Sequence, residues 1–204
     1  TVVSTQNMIR LAEEMDAGFC YLSTDYVFDG KEGPYTEHHT VNPLSVYGKH
    51  KLEAEQQVRQ SSLDHLILRI TNVYGEEERG KNFIARLLAL SNEGSTEELK
   101  LPKDQYATPV NALDVARAAF QLMLDEKVGI YHLASTDYMN RVQLAQRVLS
   151  YLPESGIQLK AIRTNQMNQA ASRPLYGGLI SKKFNTEYPE FTFTNIDDYV
   201  KNKV

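Results

Sequence analysis

The chain has no tryptophan and a single cysteine in 204 residues. One cysteine excludes an intramolecular disulfide framework and makes a reducing, cytoplasmic setting the expected one. Cys20 stands in the apolar run Phe19-Cys20-Tyr21-Leu22 and reads as a small buried hydrophobe. No apolar run approaches the ~18 residues that suit a bilayer span, so no membrane partner is expected. Lys and Arg number 22 against 26 Asp and Glu, a net charge of -4. With no basic tract, nucleic acid is not expected as the main partner. None of the 11 glycines falls into G-x-G-x-x-G or G-x-x-G-x-x-G, so no glycine-rich phosphate turn is read here. His38-His39 lacks an Asp, Glu or Cys partner at ligand spacing on a regular element, so no metal is expected.

What is present is an alternation of apolar strands with amphipathic helices. Residues 1–16 read as a helix ended by Gly18, followed by a buried strand over 19–24. A polar loop over 29–43 precedes a helix from about Pro43 to Arg59. Leu66-Ile67-Leu68-Arg69-Ile70 is the next buried strand, and 80–90 the next helix. Asn111 caps a helix whose predicted core face includes Val115, Ala116, Ala119, Phe120, Met123 and Leu124. Strands are predicted at 99–101, 130–133 and 158–162, and helices at 142–151 and 195–203. His132 is expected to be hydrogen-bonded within the fold. This alternation predicts an α/β protein with a parallel sheet, in one or two domains.

The chemistry concentrates in two stretches. Ser23-Thr24-Asp25 ends a predicted strand, and Tyr47 and Lys51 stand four residues apart on a predicted helix. Residues i and i+4 share a helix face. A neighbouring ammonium favours the phenolate and lowers a tyrosine pKa from ~10, which suits a proton donor. The Thr24 hydroxyl at the strand end is placed to bond the same substrate oxygen. Tyr-x-x-x-Lys alone is a weak signal, since Tyr199 and Lys203 repeat it in a closing surface helix. A core-facing Tyr47 with a solvated Lys51 is the structural alternative.

The run Ser-Thr-Asp-Tyr-Val-Phe-Asp-Gly over 23–30, with Pro43-Leu44-x-Val46-Tyr47-Gly48-x-x-Lys51-x-x-x-Glu55, resembles the extended short-chain dehydrogenase/reductases. Leu68-Arg69, Val73-Tyr74-Gly75, Asn82-Phe83, Asp104-Gln105 with Pro109, Gly129-Ile130-Tyr131-His132 and Arg173-Pro174 follow in family order. Within that superfamily the dTDP-4-dehydrorhamnose reductase family is the nearest branch. The resemblance implies the C-terminal part of a Rossmann-like doubly wound parallel sheet plus a small α/β substrate-binding lobe. Residues 1–76 would carry the catalytic end of the nucleotide-binding domain, and 77–204 mainly the lobe, interleaved with remaining Rossmann elements. The glycine-rich half of that domain is expected to lie outside this chain, as if the chain were a piece of a longer protein.

By the same resemblance, Thr24, Tyr47 and Lys51 are catalytic. Ser23, Tyr47, Lys51, Ile70 and Asn72 face NADPH or NADH. Thr24, Asp25, Asn72, Asn82, Asp104, Gln105 and Arg173 face a sugar nucleotide, with Arg173 suited to its diphosphate because a guanidinium forks onto phosphate oxygens. For Asp104-Gln105 a capped polar turn, and for Arg173 a surface role, weigh equally. Members of the family often carry Trp where Asn72 stands, so an amide that bonds hydroxyls replaces an indole that packs on a sugar face. The implied reaction is reduction of the 4-keto group of a dTDP-linked deoxysugar, with a homodimer as the expected assembly. A non-catalytic regulatory subunit like that of methionine adenosyltransferase, and a sugar-nucleotide epimerase or dehydratase, are the alternatives.

Overall fold

The computed structural model describes residues 1–77 and 80–204. In chain order the elements are α1 (Val2–Glu14), β1 (Phe19–Thr24), α2 (Val46–Gln60), β2 (His65–Ile70), β3 (Val73–Tyr74), α3 (Phe83–Asn92), β4 (Glu98–Pro102), β5 (Tyr106–Ala107) and β6 (Val110–Asn111). They continue with α4 (Ala112–Leu124), β7 (Gly129–Leu133), β8 (Met139–Asn140), α5 (Arg141–Leu149), β9 (Gln158–Ile162), α6 (Lys182–Glu187) and α7 (Ile196–Lys201). Single 3-10 turns follow β1 at Asp25–Val27 and β9 at Thr164–Gln166. Among the described residues no helix is long and apolar enough to cross a membrane.

The main sheet is parallel, in the order β1-β2-β7, with Thr24 beside Ile70 and Ile70 beside Leu133 at its C-terminal edge. Both faces are covered, which is why the strands read as continuous apolar runs. On one face Ile9, Tyr21, Ala54, Val58 and Ile67 join α1 and α2 to the sheet. On the other, Leu66, Leu68, Val115, Ala118, Leu122, Tyr131 and Phe184 join α4 and α6 to it. The fold is therefore the doubly wound arrangement expected.

A second core gathers Ile84, Leu87, Leu99, Leu101, Leu144, Val148, Ile157 and Ile196 around a two-stranded parallel sheet, β4 and β9. Helices α3, α5 and α7 cover it. Most helix starts are fixed by side chains: Asn111, the cap read in the sequence, accepts through Oδ1 from Leu113 N at 2.8 Å, and Asn140 forms a capping box with Gln143.

The buried face of α4 and the exit from α1 differ from expectation. The inward stripe of α4 is Val115, Ala118 and Leu122, while Phe120 and Leu124 are exposed and Met123 is 49% exposed. Met123 is therefore not core. The helix is apolar on more than one face, and spacing alone did not select the face that meets the sheet. On α1 only Thr5, Ile9 and Ala12 are buried, while Val3, Met8, Leu11 and Met15 stay exposed. The chain leaves α1 through Asp16, which takes the left-handed conformation at φ 50°, rather than through Gly18.

Candidate active site

The C-terminal edge of the main sheet opens into a cleft, the place where open α/β sheets hold ligands. Thr24 ends β1, and Ile70 ends β2 beside it. Helix α2 starts at Ser45, whose hydroxyl accepts from Gly48 N at 3.1 Å. Gly48 lies so close to the Tyr26 carbonyl that any Cβ would collide with it. That contact seats the first turn of α2 against the end of β1 and brings Tyr47 beside Thr24 and Tyr26. The Tyr26 and Tyr47 rings meet edge to face at 5.7 Å. Leu22, Thr24, Tyr47, Lys51, Ile70 and Asn72 line a hollow of about 460 Å³.

Tyr47 is 50% exposed, so the core-facing alternative for this residue is wrong. Burial of its remaining half raises its pKa, the Thr24 hydroxyl opposes that shift, and Asp25 and Tyr26 reinforce it. Lys51 donates to the Leu22 carbonyl at 2.7 Å and sits 4.6 Å from the Tyr21 ring centroid. Burial lowers the Lys51 pKa, with Glu55 pulling it back up. Lys51, expected to depress the Tyr47 pKa, is not among the causes of its shift, and the net shift is upward because desolvation of the phenolate outweighs the Thr24 hydrogen bond.

Behind the cleft lies a buried polar network. Arg69 donates Nε to Glu55 Oε1 at 3.0 Å and Nη2 to Glu55 Oε2 at 2.6 Å. The Ser23 hydroxyl donates to the same Glu55 carboxylate. Ser23, expected to face the cofactor, lines the same hollow as Tyr47 and spends its hydroxyl on this carboxylate. His132 Nδ1 donates to the Tyr35 carbonyl at 3.0 Å, leaving Nε2 to face Arg69 Nη1 at 3.5 Å. Burial, and after it the Arg69 charge, push the His132 pKa down to about 3. His132 is thus the neutral, internally bonded histidine expected.

Asp25 is buried and links the sheet to the segment over 173–180. Its Oδ2 accepts from Thr71 Oγ1 at 2.8 Å and from Gly178 N at 3.2 Å, and its Oδ1 from Thr24 Oγ1 at 3.3 Å. Burial raises its pKa, and those donors oppose the rise. The same segment pairs with the loop after β1: Tyr176 N donates to the Gly30 carbonyl at 2.8 Å, and Tyr35 N to the Gly178 carbonyl at 3.0 Å. Gly30, at φ 70°, has no room for a Cβ against Pro174. Arg173 Nη1 donates to Tyr26 Oη at 2.8 Å.

A second hollow, about 310 Å³, adjoins the first and shares Asp25, Tyr26, Asn72 and Arg173 with it. Gln105 lines it, with its amide nitrogen donating to Thr164 Oγ1 and Gln169 Oε1, each at 3.0 Å. Asn72 stands at the junction with φ 40°, and its Oδ1 accepts from Arg141 Nη2 at 3.0 Å. Asp104 is not brought here. Its carboxylate caps the turn after β9, accepting from Thr164 N at 2.9 Å and Thr164 Oγ1 at 2.7 Å. Asn82 borders a smaller neighbouring hollow but spends its amide on α3: Oδ1 accepts from Ala85 N and Nδ2 donates to the Gly75 carbonyl, both at 2.8 Å. Asp104 and Asn82, expected at the substrate, thus spend their side chains on N–H groups at the starts of the Thr164–Gln166 turn and of α3.

Sequence reasoning missed Arg141, Arg86 and Lys100, which all line the second hollow. One signal was present for Arg141. It is the first residue of α5, where the helix dipole disfavours a cation.

The sequence profile of the RmlD substrate binding domain matches residues 1–198. The chain belongs to the RmlD substrate binding domain family. Among curated relatives, a dTDP-4-dehydrorhamnose reductase of Sinorhizobium fredii is 35% identical over 164 residues, 76% of this chain and 54% of that protein. A methionine adenosyltransferase 2 subunit beta of Bos taurus is 34% identical over 149 residues, 71% of this chain and 45% of that protein. The chain spans about half the length of these curated relatives. The crystal structure of a dTDP-4-dehydrorhamnose reductase from Clostridium acetobutylicum superposes with a TM-score of 0.87 at 26% identity, covering 98% of this chain and 70% of that one. The Rossmann-like α/β fold of the family is the one described above. The decoy pair of the C-terminal helix is structural: Tyr199 packs on Tyr74 at 5.0 Å, and Lys203 pairs with Glu76.

Proposed function

We propose that this chain carries the catalytic cleft and substrate pocket of a nicotinamide-dependent sugar-nucleotide reductase. Its reaction would be reduction of the 4-keto group of a dTDP-linked deoxysugar, as in dTDP-L-rhamnose biosynthesis. Residues 1–76 would supply the catalytic face and 77–204 mainly the substrate lobe. The carrying observation is that Thr24, Tyr47 and Lys51 line one hollow at the C-terminal edge of the sheet.

The residues present fit a dinucleotide at that hollow. Lys51 uses one of its three ammonium N–H groups to donate to the Leu22 carbonyl, which leaves two for ribose hydroxyls. Ile70 offers an apolar wall at the end of β2. NADPH or NADH bound there supplies the hydride for the carbonyl carbon. The protein's own part is proton delivery. Tyr47 gives its phenolic proton to the carbonyl oxygen. Thr24 hydrogen-bonds that oxygen and fixes its direction. Asp25 holds the 173–180 segment, and with it Arg173, over the pocket. Ser23 supports α2 from behind through Glu55.

The bovine relative supports a second reading, in which the chain serves as a partner subunit without turnover. A 4-epimerase or dehydratase would use the same cleft and is separated by product analysis. The test is NADPH oxidation by the full-length protein with dTDP-4-dehydro-L-rhamnose, beside Tyr47→Phe. Turnover in the wild type that collapses in the variant supports the reductase. NADPH binding with no turnover in either would favour the partner subunit.

A further inference from the structure

The second hollow is unusual in its charge. Arg86, Lys100, Arg141 and Arg173 line it, and Asp25 is its only carboxylate among the described residues. Asp25 is already occupied by Thr71 and Gly178. Arg86 has Glu97 at 3.3 Å, but none of the ion pairs among the described residues includes Lys100, Arg141 or Arg173. Arg141 is partly buried against the Phe83 ring, 5.1 Å from its centroid, and is held by the Asn72 amide at 3.0 Å. Removal from water lowers its pKa, Tyr26 and, less strongly, the buried Asp25 offset this, and the nearby Arg173 adds to it. A desolvated guanidinium beside a second cation is unfavourable unless an anion completes the site.

We propose that Arg141, aimed by Asn72, is a specificity-determining residue that grips an anionic oxygen group of the substrate. The inference rests on the reading of this cleft as a sugar-nucleotide site. Two parts of such a substrate carry that chemistry: the diphosphate, and a carboxylate on the sugar ring. A guanidinium forks onto either one with two parallel hydrogen bonds. Asn72 fixes the fork where the two hollows meet, between the Tyr47 cleft and Arg173. The amide at position 72 thus acts through Arg141, as a positioning residue.

The test is equilibrium binding to the full-length protein, with no turnover required. Inorganic pyrophosphate, dTDP-glucose and dTDP-glucuronate are titrated into the wild type, Arg141→Gln, Arg141→Lys and Asn72→Ala, with NADPH titrated as a check on folding. Loss of a charge-assisted pair is expected to weaken binding about 10- to 100-fold in Arg141→Gln. Arg141→Lys keeps the charge without the fork and is expected to lose less, and Asn72→Ala least. Weakening of all three ligands assigns Arg141 to the diphosphate. Weakening confined to dTDP-glucuronate, with the wild type preferring it to dTDP-glucose, assigns it to a sugar carboxylate. Affinities within about 2-fold of wild type in an Arg141→Gln protein that still binds NADPH overturn the inference alone. If Arg141→Gln does not fold, Arg141→Lys decides by the same criterion. A wild type that binds none of the three ligands overturns both the inference and the substrate reading.

Discussion

The two halves of the cleft are built by different means. The proposed catalytic side is made from the end of one strand and the first turns of the next helix, Thr24 with Tyr47 and Lys51. A buried Glu55–Arg69 pair locks that helix to β2 from behind. The proposed substrate side is assembled from separate segments, with Asn72, Gln105, Arg141 and Arg173 arriving from four places in the chain. What holds it is a set of backbone and side-chain hydrogen bonds around Asp25, Gly178 and Tyr35. A site on a strand end and a helix is rigid because its elements are packed on both faces. A pocket of loops can change its lining residues without disturbing the sheet. Chemistry would thus be held constant on one side and substrate choice varied on the other.

That contrast can be broken experimentally, and the largest effect is expected on the catalytic side. Tyr47→Phe should lower kcat by ~10²–10⁴ with little change in Tm, since the phenol is half exposed and serves proton transfer. Next comes the support behind it. Arg69→Met leaves Glu55 buried and unpaired and should cost ~3–5 kcal/mol in denaturant unfolding. An unfolding midpoint equal to wild type would show that the network is not what anchors α2.

The pH dependence of stability separates the two sides further. The folded-state pKa of His132 lies at about 3, below its ordinary value of 6.5. As pH falls from 6.5, the unfolded chain takes up a proton that the folded one refuses, so this contribution is full above 6.5 and is lost on the way down to about 3. His132→Gln should flatten the slope of unfolding free energy over that window, read by urea titrations at stepped pH. The smallest effect is expected at Asp104. Asp104→Ala removes the cap on Thr164 and should cost ~0.5–2 kcal/mol of stability while leaving substrate KM unchanged. A clear rise in KM would return Asp104 to the substrate side.

Legibility in the sequence follows the same division. The strand at 19–24, the strand at 158–162 and the Asn111 cap were readable because each rests on neighbours within a few residues. Tyr47 and Lys51 were readable for the same reason, being one helical turn apart. Arg141 was not, because nothing local to Asn140-Arg141-Val142 indicates that Asn72 will lie within hydrogen-bond reach, 69 positions away in sequence. Asp104 illustrates the converse. Its residue type suited a site, but Thr164 took its oxygens first. The α4 face failed for a third reason. A helix apolar on several sides does not state which side meets the sheet.

The amino-acid sequence by itself determined the α/β alternation, the parallel sheet and the proximity of Tyr47 to Lys51. The helix and strand periodicities and the Tyr47–Lys51 spacing are fixed by the backbone within one element, and the parallel sheet follows from the strand–helix alternation along the chain. Only the tertiary structure decided that Glu55 closes on Arg69, that Lys51 turns to Leu22, and that Arg141 joins Arg173 around one hollow. Those contacts join residues far apart in the chain. Which polar groups meet is set by the packing of whole elements and by the need to satisfy each buried charge.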